Sequence, residues 1–428
     1  MILGRRGERP GHSVTTAHFQ AAYPFLGQGS VGAPGVYIGA DAYGGAWAFD
    51  PWEFYARRIV RSTNLIVIGG IGYAKSSFIK TYLFRQHLFG RDAWVIDIKG
   101  EYGPLGEALG YPPYVLRPGG EVRLNPITRR GSREAQLGLL RSVVQAALGR
   151  DLSPEEDAGL RVALDLVNEE CASEDPTLPM VVDALLHPRE AMVAGVCATS
   201  ATDFAAANRE SALALQRLCE GDLRGMFDGP TSPGIDLEAP MVILDLSAVQ
   251  DSAALGVLMT CAAAWQQAIV LERKRRSERS GVPMRKLSVV VEEVWRVAPN
   301  PAVAEWLQSN FKLCRALGIQ NILSLHKLTD FGAAGAAGSR EAQVIQGLVS
   351  DAGCVIVYLQ SPDQRPVLRG DLGLSETETE LTMGLGLGEA LWVMGQHSAP
   401  VAQRMSAFER EFTFTDEQMG VIQPVEAV

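Results

Sequence analysis

A glycine-rich stretch at residues 69–77, GGIGYAKSS, has the residue types and the spacing best suited to chemistry. Gly69, Lys75 and Ser76 fit the pattern G-x-x-x-x-G-K-[ST]. In that pattern, small residues let backbone N–H groups surround phosphates, the lysine neutralises the β- and γ-phosphates, and the hydroxyl ligates Mg²⁺. The stretch therefore predicts a site for ATP and Mg²⁺, with Ser76 as a metal ligand. The predicted nucleotide-contacting residues are Gly69, Gly70, Ile71, Gly72, Tyr73, Ala74, Lys75, Ser76 and Ser77.

Ala74 stands where this pattern usually has a glycine. If the loop needs a positive φ angle there, alanine costs on the order of 1 kcal/mol. The neighbouring sequence supports the site, because the loop follows the apolar run NLIVI at 64–68 and precedes a helical pattern at 75–88. The alternative is a glycine-rich turn between a strand and a helix that binds nothing.

Acidic residues that could complete such a site end two other apolar runs. Asp245 lies in MVILDL, and the pair Glu292–Glu293 follows LSVVV. The pair is the better candidate, because two adjacent carboxylates can divide two tasks. Glu292 is predicted to help hold the metal ion, and Glu293 is predicted to activate the attacking water. Glu292 is one methylene longer than the usual aspartate, and the alternative for the pair is two solvated glutamates.

The elements that must position these residues are strand-like apolar runs with helices between most of them. The runs are Asn64–Ile68, Ala93–Ile98, Met241–Leu246, Leu287–Val291, Asn321–Leu325, Cys354–Leu359 and Glu389–Met394. Such alternation predicts an α/β fold with a doubly wound, mainly parallel sheet. The segment at 35–51 instead predicts a hairpin that turns near residues 41–45.

Residues 131–226 differ from the rest, since they are rich in Ala, Leu and Glu, have helical periodicity and carry almost no strand signal. We interpret them as an all-helical insertion. The predicted organisation is an N-terminal arm and hairpin at 1–59, an α/β core at 60–130 and 227–405, and a C-terminal tail at 406–428.

Composition narrows the classes of function. The net charge of −10 over 428 residues argues against a surface coated with basic residues, although a local basic channel stays open. The six cysteines lie far apart without metal-binding spacing, which predicts reduced thiols. The N-terminus lacks the apolar segment of a signal peptide. The apolar stretch Ala253–Val270 is predicted to be a buried helix rather than a membrane span.

Four segments together resemble the HerA–FtsK branch of P-loop ATPases, and within it the conjugative-transfer ATPases of type IV secretion systems, the VirB/TraC type. They are GGIGYAKSS at 69–77, VIDIKGEYGPL at 95–105, VVVEEVWRV at 289–297 and NILSLHKLTD at 321–330. The likeness covers roughly residues 35–400. It implies a RecA-like P-loop core, with 131–226 as that family's all-α insertion. By the same resemblance, we expect this sequence to correspond to the motor domain without the family's long N-terminal domain.

The resemblance also implies roles for further residues. Asp97 and Glu101 match the family's D-x-x-G-E-Y signature and are expected near the nucleotide. His326 stands where the family has a glutamine that senses the γ-phosphate, and an imidazole can also donate to phosphate. An arginine that reaches the nucleotide of a neighbouring subunit matches Arg315 best and Arg340 second.

The function that these features imply is an ATP-hydrolysing motor that energises macromolecule transfer in a conjugation or type IV secretion-like system. The implied assembly is a homo-oligomeric ring, a hexamer by resemblance. Its partners would be the secretion machinery and DNA. It would be cytoplasmic, recruited to the inner face of the membrane through those partners. Two alternatives stay open: a DNA translocase of the HerA/FtsK type, and a nucleotide-binding scaffold that does not hydrolyse, which the departures Ala74, Glu292 and His326 favour.

Overall fold

The computed structural model describes residues 31–128, 133–171, 174–221, 223–250, 254–297, 301–327 and 340–413. The predicted N-terminal arm up to residue 30 and the tail beyond 413 lie outside the described residues, as do positions 328–330 of the fourth family segment. Within the described residues the strands are β1 (Val36–Asp41), β2 (Ala46–Phe49), β3 (Leu65–Ile68), β4 (Asp92–Asp97), β5 (Tyr114–Val115), β6 (Met241–Asp245), β7 (Leu287–Val291), β8 (Ile319–Leu325), β9 (Cys354–Val357), β10 (Glu389–Met394) and β11 (His397–Gln403).

The α-helices of the described residues vary from 4 to 27 residues in length. They are α1 (Pro51–Ala56), α2 (Lys75–Leu88), α3 (Gly103–Leu109), α4 (Arg133–Leu148), α5 (Pro154–Glu170), α6 (Leu178–Leu186), α7 (Glu190–Gly195), α8 (Ala201–Ala207), α9 (Arg209–Glu220), α10 (Ala254–Ser280), α11 (Val294–Val297), α12 (Pro301–Leu317), α13 (Arg340–Ser350), α14 (Arg365–Gly370), α15 (Glu376–Thr382) and α16 (Ala407–Thr413).

The chain folds into two compact units. The first comprises Met1–Asp92, Lys286–Trp295 and Asn310–Val428, and the second comprises Ala93–Arg285 and Arg296–Ser309. Each unit therefore contains segments that are distant in sequence.

The strands of the first unit follow the order β2-β1-β11-β10-β9-β3-β8-β7. The four strands from β9 to β7 are parallel, and the other four join them through antiparallel pairs. Every residue of β3, β7, β8 and β9 is buried, as expected for parallel strands that are covered on both faces. Carboxyl ends of parallel strands meet at one edge, so the residues that follow β3, β7 and β8 come together.

The second unit contains the parallel strands β4, β6 and β5 and most of the helices. Helices α4 to α9 form a cluster in which α9 and α5 pack against α6, and α4 packs against α10. Their apolar faces supply a continuous set of buried side chains, which includes Leu140, Leu160, Leu164, Leu185 and Leu215. Between residues 133 and 220 the described residues contain no strand.

Helix α10 contains the stretch Leu255–Ser280, the one part of the described chain that is long and apolar enough to cross a membrane. In its most apolar window, 67% is buried inside the molecule. Leu258, Met259, Cys261 and Ala262 are fully buried. This burial is typical of a core helix, the interpretation made from the sequence.

The predicted α/β fold is confirmed. The strands predicted at 287–291 and 389–394 have the predicted bounds, and the others differ by one or two residues. The hairpin β1–β2 turns at residues 42–45, close to the predicted position. Strand β11 was not predicted, because Pro400 and its polar neighbours give no strand signal. The six cysteines are free thiols, as predicted.

Candidate functional site

The glycine-rich loop links the buried strand β3 to helix α2, which begins at Lys75. Gly69 is required by space, since a Cβ atom there would lie 2.5 Å from the Cβ of Tyr358. Gly72 is required by conformation, with φ at +81° and nothing near an added Cβ. The loop therefore needs glycine at two positions, at Gly69 for space and at Gly72 for backbone conformation.

Ala74 adopts the left-handed conformation, with φ 72° and ψ 20°. The positive φ angle is therefore present, and the cost of about 1 kcal/mol expected for alanine at such an angle applies. No side chain caps the amino end of α2. The partial positive charge of that end is thus directed toward the loop, where phosphate groups are stabilised.

Lys75 is buried, with only 6% of its surface exposed. Its Nζ donates to the carbonyl oxygens of Gly69 at 2.6 Å and Gly70 at 2.8 Å. The ammonium group therefore lies against the first two residues of the loop.

Glu292 and Glu293 follow β7 and are both buried, at 1% and 4% exposure. Buried carboxylates are uncommon without partners. In the register of the sheet, Val291 lies opposite Leu323 of β8, so that Glu293 comes level with the end of β8. Glu293 also has a left-handed backbone, with φ 51°.

His326 follows β8 directly and joins the two sides of the site. Leu325 is opposite Ile68 in the sheet register, which places His326 beside the start of the glycine-rich loop. Its Nε2 lies 2.9 Å from Oε1 of Glu293, and its Nδ1 lies 3.3 Å from Nζ of Lys75. The structure thus brings together three residues that the sequence assigned to catalysis.

Ser76 and Ser77 are half-buried in the first turn of α2. The hydroxyl of Ser77 lies 3.5 Å from the carbonyl oxygen of Thr413 in α16. The groups at this site have the chemistry that Mg²⁺ and ATP require. A serine hydroxyl and buried carboxylates offer oxygen ligands for Mg²⁺, and a buried ammonium and backbone N–H groups suit the phosphates of ATP. In the described residues no cluster of three or more His, Cys, Asp or Glu side chains forms a metal site, so Mg²⁺ would depend on the phosphates as well.

Asp97 and Glu101 lie in the second unit. Asp97 is fully buried, and its carboxylate accepts hydrogen bonds from the backbone N–H groups of Lys99, Gly100 and Tyr102 at 3.2, 2.8 and 2.8 Å. Burial raises the pKa of Asp97, and hydrogen bonds from the backbone of Tyr102, Glu101 and Gly100 oppose the rise. These hydrogen bonds of Asp97 therefore shape its own loop. Glu101 is half-buried.

Arg315 is not brought to this site within the chain. It is exposed in the last turn of α12, just before β8 begins. Because β8 has seven residues and rises about 3.3 Å per residue, Arg315 and the glycine-rich loop belong to opposite edges of the sheet, about 20 Å apart. Arg340 begins α13, and its side chain lies outside the described residues.

Sequence reasoning missed the contact of α16 with the loop helix. Arg85 of α2 forms a bidentate pair with Glu409, at 2.6 Å from Nε to Oε1 and 2.7 Å from Nη2 to Oε2. Phe84 packs against Phe408 and Phe412. The paired residues lie 324 positions apart, so no local pattern could reveal them. These contacts hold α2 in place, and with it Ser76 in the first turn of that helix.

The fold and the loop define a P-loop class of α/β protein. No protein-family model and no curated protein matches the chain. Among solved structures, VirB4 of Thermoanaerobacter pseudethanolicus matches with a TM-score of 0.67 and 21% identity, over 88% of this chain and 98% of that one. Plasmid coupling protein TrwB in complex with ADP and Mg²⁺ matches with a TM-score of 0.51 and 15% identity, over 94% and 95%. TrwB in complex with the ATP analogue ADPNP gives 0.52 and 15%, over 92% and 93%. The chain thus has the fold of VirB4 and TrwB, and the resemblance found in the sequence is confirmed at the level of fold.

Proposed function

We propose that this protein binds ATP with Mg²⁺ and hydrolyses it as a motor for macromolecule transfer in a conjugation or type IV secretion-like system. One observation carries the proposal. In a chain with the VirB4 fold, Lys75, Glu293 and His326 converge beside the start of the glycine-rich loop, although they come from three separate segments. A turn that bound nothing would not need a buried lysine connected through a histidine to a buried carboxylate.

The residues divide the work by chemical type. The backbone N–H groups of the loop and the amino end of α2 bind phosphate oxygens, and Lys75 neutralises the β- and γ-phosphates. Ser76 and Glu292 would hold Mg²⁺, which when bound neutralises charge on the phosphates. Glu293 accepts a proton from the attacking water, a task suited to a buried carboxylate near the γ-phosphate. Asp97 and Glu101 are also proposed to contact the nucleotide.

The proposed assembly is a homo-oligomeric ring, a hexamer by resemblance, in which Arg315 reaches the nucleotide of a neighbouring subunit. This role suits Arg315, because its side chain is exposed and lies far from the glycine-rich loop of the same chain. The remaining parts of the proposal are the predicted domain bounds, partners in the secretion machinery and DNA as cargo. The location would be the cytoplasm, with recruitment to the membrane through those partners.

A nucleotide-binding scaffold without turnover is the second candidate. The observation in its favour is that Ala74, Glu292 and His326 each depart from the family pattern at the site itself. ATP binding without hydrolysis by the purified protein would select this candidate.

The test is steady-state ATP hydrolysis with Mg²⁺ by wild type, Lys75→Ala and Glu293→Gln over a range of protein concentrations. We expect Lys75→Ala to lose ATP binding. Glu293→Gln should retain binding while its turnover falls at least about 10²-fold, because the proton acceptor is gone. Glu376→Gln, an exposed glutamate on α15, is the matched control and should behave like wild type. Turnover per subunit that rises with concentration supports a shared site, and full turnover in Glu293→Gln would contradict the assignment of that residue.

A further inference from the structure

The side chain of His326 bridges two groups whose tasks differ. Nδ1 faces the ammonium of Lys75 at 3.3 Å, and Nε2 faces the carboxylate of Glu293 at 2.9 Å. Lys75 and Glu293 are themselves buried, and His326 is mostly so, with 18% of its side chain exposed. The imidazole therefore connects the phosphate-binding cation with the proposed water-activating carboxylate.

The partners determine the tautomer that satisfies both contacts. An ammonium group can only donate a hydrogen bond, and an ionised carboxylate can only accept one. A neutral imidazole with its proton on Nε2 accepts from Lys75 at Nδ1 and donates to Glu293 at Nε2. A proton on Nδ1 would place an N–H group against the ammonium. The two hydrogen bonds therefore depend on each other through one ring.

Lys75 has competing acceptors within reach of the same nitrogen. Its Nζ also contacts the carbonyl oxygens of Gly69 and Gly70, and phosphate oxygens carry more negative charge than either a carbonyl oxygen or a neutral ring nitrogen. A bound triphosphate would therefore draw Lys75 away from Nδ1. Without that donor, the ring loses the contact that fixes its orientation toward Glu293.

We propose that His326 is a positioning residue that makes the placement of Glu293 depend on whether Lys75 is engaged by phosphate. While Lys75 donates to Nδ1, the ring is held in one position together with the carboxylate of Glu293 that its Nε2–H contacts. When Lys75 binds phosphate, the ring is free to turn and orients the carboxylate of Glu293 for its task. The inference rests on the proposed ATPase function, and it differs from a histidine that senses the γ-phosphate by direct contact. It confines the activation of water to molecules whose loop is filled.

Two substitutions at this position separate hydrogen bonding from packing. Glutamine offers one donor and one acceptor, as the neutral imidazole does, so His326→Gln can keep both contacts. Methionine fills similar space with no donor and only a weak acceptor, so His326→Met keeps packing and loses the connection. Thermal unfolding of both variants checks that each is folded.

The experiment measures kcat, KM and the Kd for AMPPNP–Mg²⁺ in wild type, His326→Gln and His326→Met, and in His326→Met combined with Glu293→Gln. We expect His326→Met to lower kcat by roughly 10- to 100-fold, as loss of a residue that orients a reacting group does. The Kd for AMPPNP should stay within about threefold, and His326→Gln should recover most of the lost turnover. The double variant should match Glu293→Gln alone, because His326 acts through Glu293. A weaker AMPPNP affinity with kcat unchanged, or additive losses in the double variant, would overturn the proposal.

A second readout keeps the inference separate from the proposed function. In protein labelled with ¹⁵N-histidine, the ring nitrogens of His326 should show the Nε2–H tautomer and should shift when AMPPNP–Mg²⁺ is added. In Lys75→Met, which lacks the ammonium, the signals should already differ without nucleotide. If wild type binds AMPPNP and shows these shifts without hydrolysing ATP, the ATPase function fails while the coupling of Lys75 to Glu293 stands. An Nδ1–H tautomer, or signals that Lys75→Met leaves unchanged, would exclude the coupling.

Discussion

Ala74 and Glu293 both hold a left-handed backbone conformation, with φ angles of 72° and 51°. Such angles are disfavoured for residues with a Cβ and persist where the surrounding structure enforces them. Only two other described residues besides glycine share the feature, Arg58 and Cys197. Strain at two positions beside one buried lysine is the pattern of a site in which geometry takes precedence over local stability.

Replacing Ala74 with glycine tests how much strain the loop carries. Glycine adopts positive φ freely, so Ala74→Gly should raise the free energy of unfolding by up to about 1 kcal/mol, partly offset by the greater freedom of glycine in the unfolded chain. Chemical denaturation measures the change. Ala214→Gly, in the middle of α9, is the control and should lower stability by about 0.5–1 kcal/mol. Equal losses in the two variants would show that Ala74 is unstrained.

At the level of residues, the sequence identified Lys75, Glu293 and His326 separately but gave no sign of their contacts. A motif with fixed spacing located Lys75, and the position after an apolar run located Glu293. The hydrogen bond between Lys75 and His326 joins residues 251 positions apart. Such a contact depends on strand register and on the tautomer of one ring, and neither is encoded in local spacing.

Helix α5 shows how one side chain can serve both the start of a helix and the packing of several. Glu156 completes a capping box with Ser153 and accepts from Arg150 at 2.8 and 3.0 Å and from the hydroxyl of Ser211 at 3.0 Å. Its side chain is almost fully buried. The carboxylate therefore links the loop before α5 to α9.

Because of these contacts, the stability of the helical cluster α4 to α9 should depend on pH. The hydrogen bonds from Arg150, above all, lower the pKa of Glu156 from 4.5 to about 2. Because the folded-state pKa is below the unfolded one, the stabilisation is complete above pH 4.5 and is lost as pH falls toward 2. Glu156→Gln should lower stability at pH 7 by about 1 kcal/mol, a reduced figure because Arg150 is partly exposed to solvent.

Denaturant titrations at pH 7 and pH 3 measure this effect. The difference between wild type and Glu156→Gln should shrink at the lower pH, because pH 3 lies between the folded and the unfolded pKa of Glu156, so that the unfolded state already gains stability by binding a proton. Glu169→Gln, an exposed position on the same helix, should change little at either pH. A difference that stayed constant between the two pH values would exclude the charge of Glu156 as its cause.

Elements marked by local sequence signals were predictable, and those that depend on tertiary pairing were not. Helix α2 has the predicted bounds, because a loop motif marks its start. Strand β11 was missed because it contains Pro400, yet it pairs with β10 on one side and β1 on the other. Its place is determined by the partners, so that a rule based on residue preference fails there.

At the scale of the whole molecule, the position of Arg315 gives the strongest argument for assembly. The glycine-rich loop follows the carboxyl end of β3, and Arg315 precedes the amino end of β8, the parallel neighbour of β3. An arginine at that edge cannot reach the loop of its own chain. In a ring of head-to-tail contacts, however, one face of a subunit meets a different face of the next. A site completed between subunits is therefore compatible with this placement.

Mixing two inactive variants tests this arrangement directly. Lys75→Ala lacks phosphate binding but retains Arg315, whereas Arg315→Ala retains the loop but lacks the arginine. If Arg315 acts on the neighbouring subunit, each variant alone should lose turnover by roughly 10³-fold or more, the scale of a missing arginine in phosphoryl transfer. In an equal mixture about a quarter of the interfaces should pair an intact loop with an intact arginine, because each is present in half of the subunits and heterologous contacts form at random. Recovered ATPase activity near a quarter of wild type, rising with total protein concentration, is the expected result.

The control for this experiment is Lys312→Ala, which removes an exposed cation on the same helix and should retain activity without mixing. If Arg315→Ala is fully active alone, the arginine that acts between subunits lies elsewhere, and Arg340 becomes the next residue to replace.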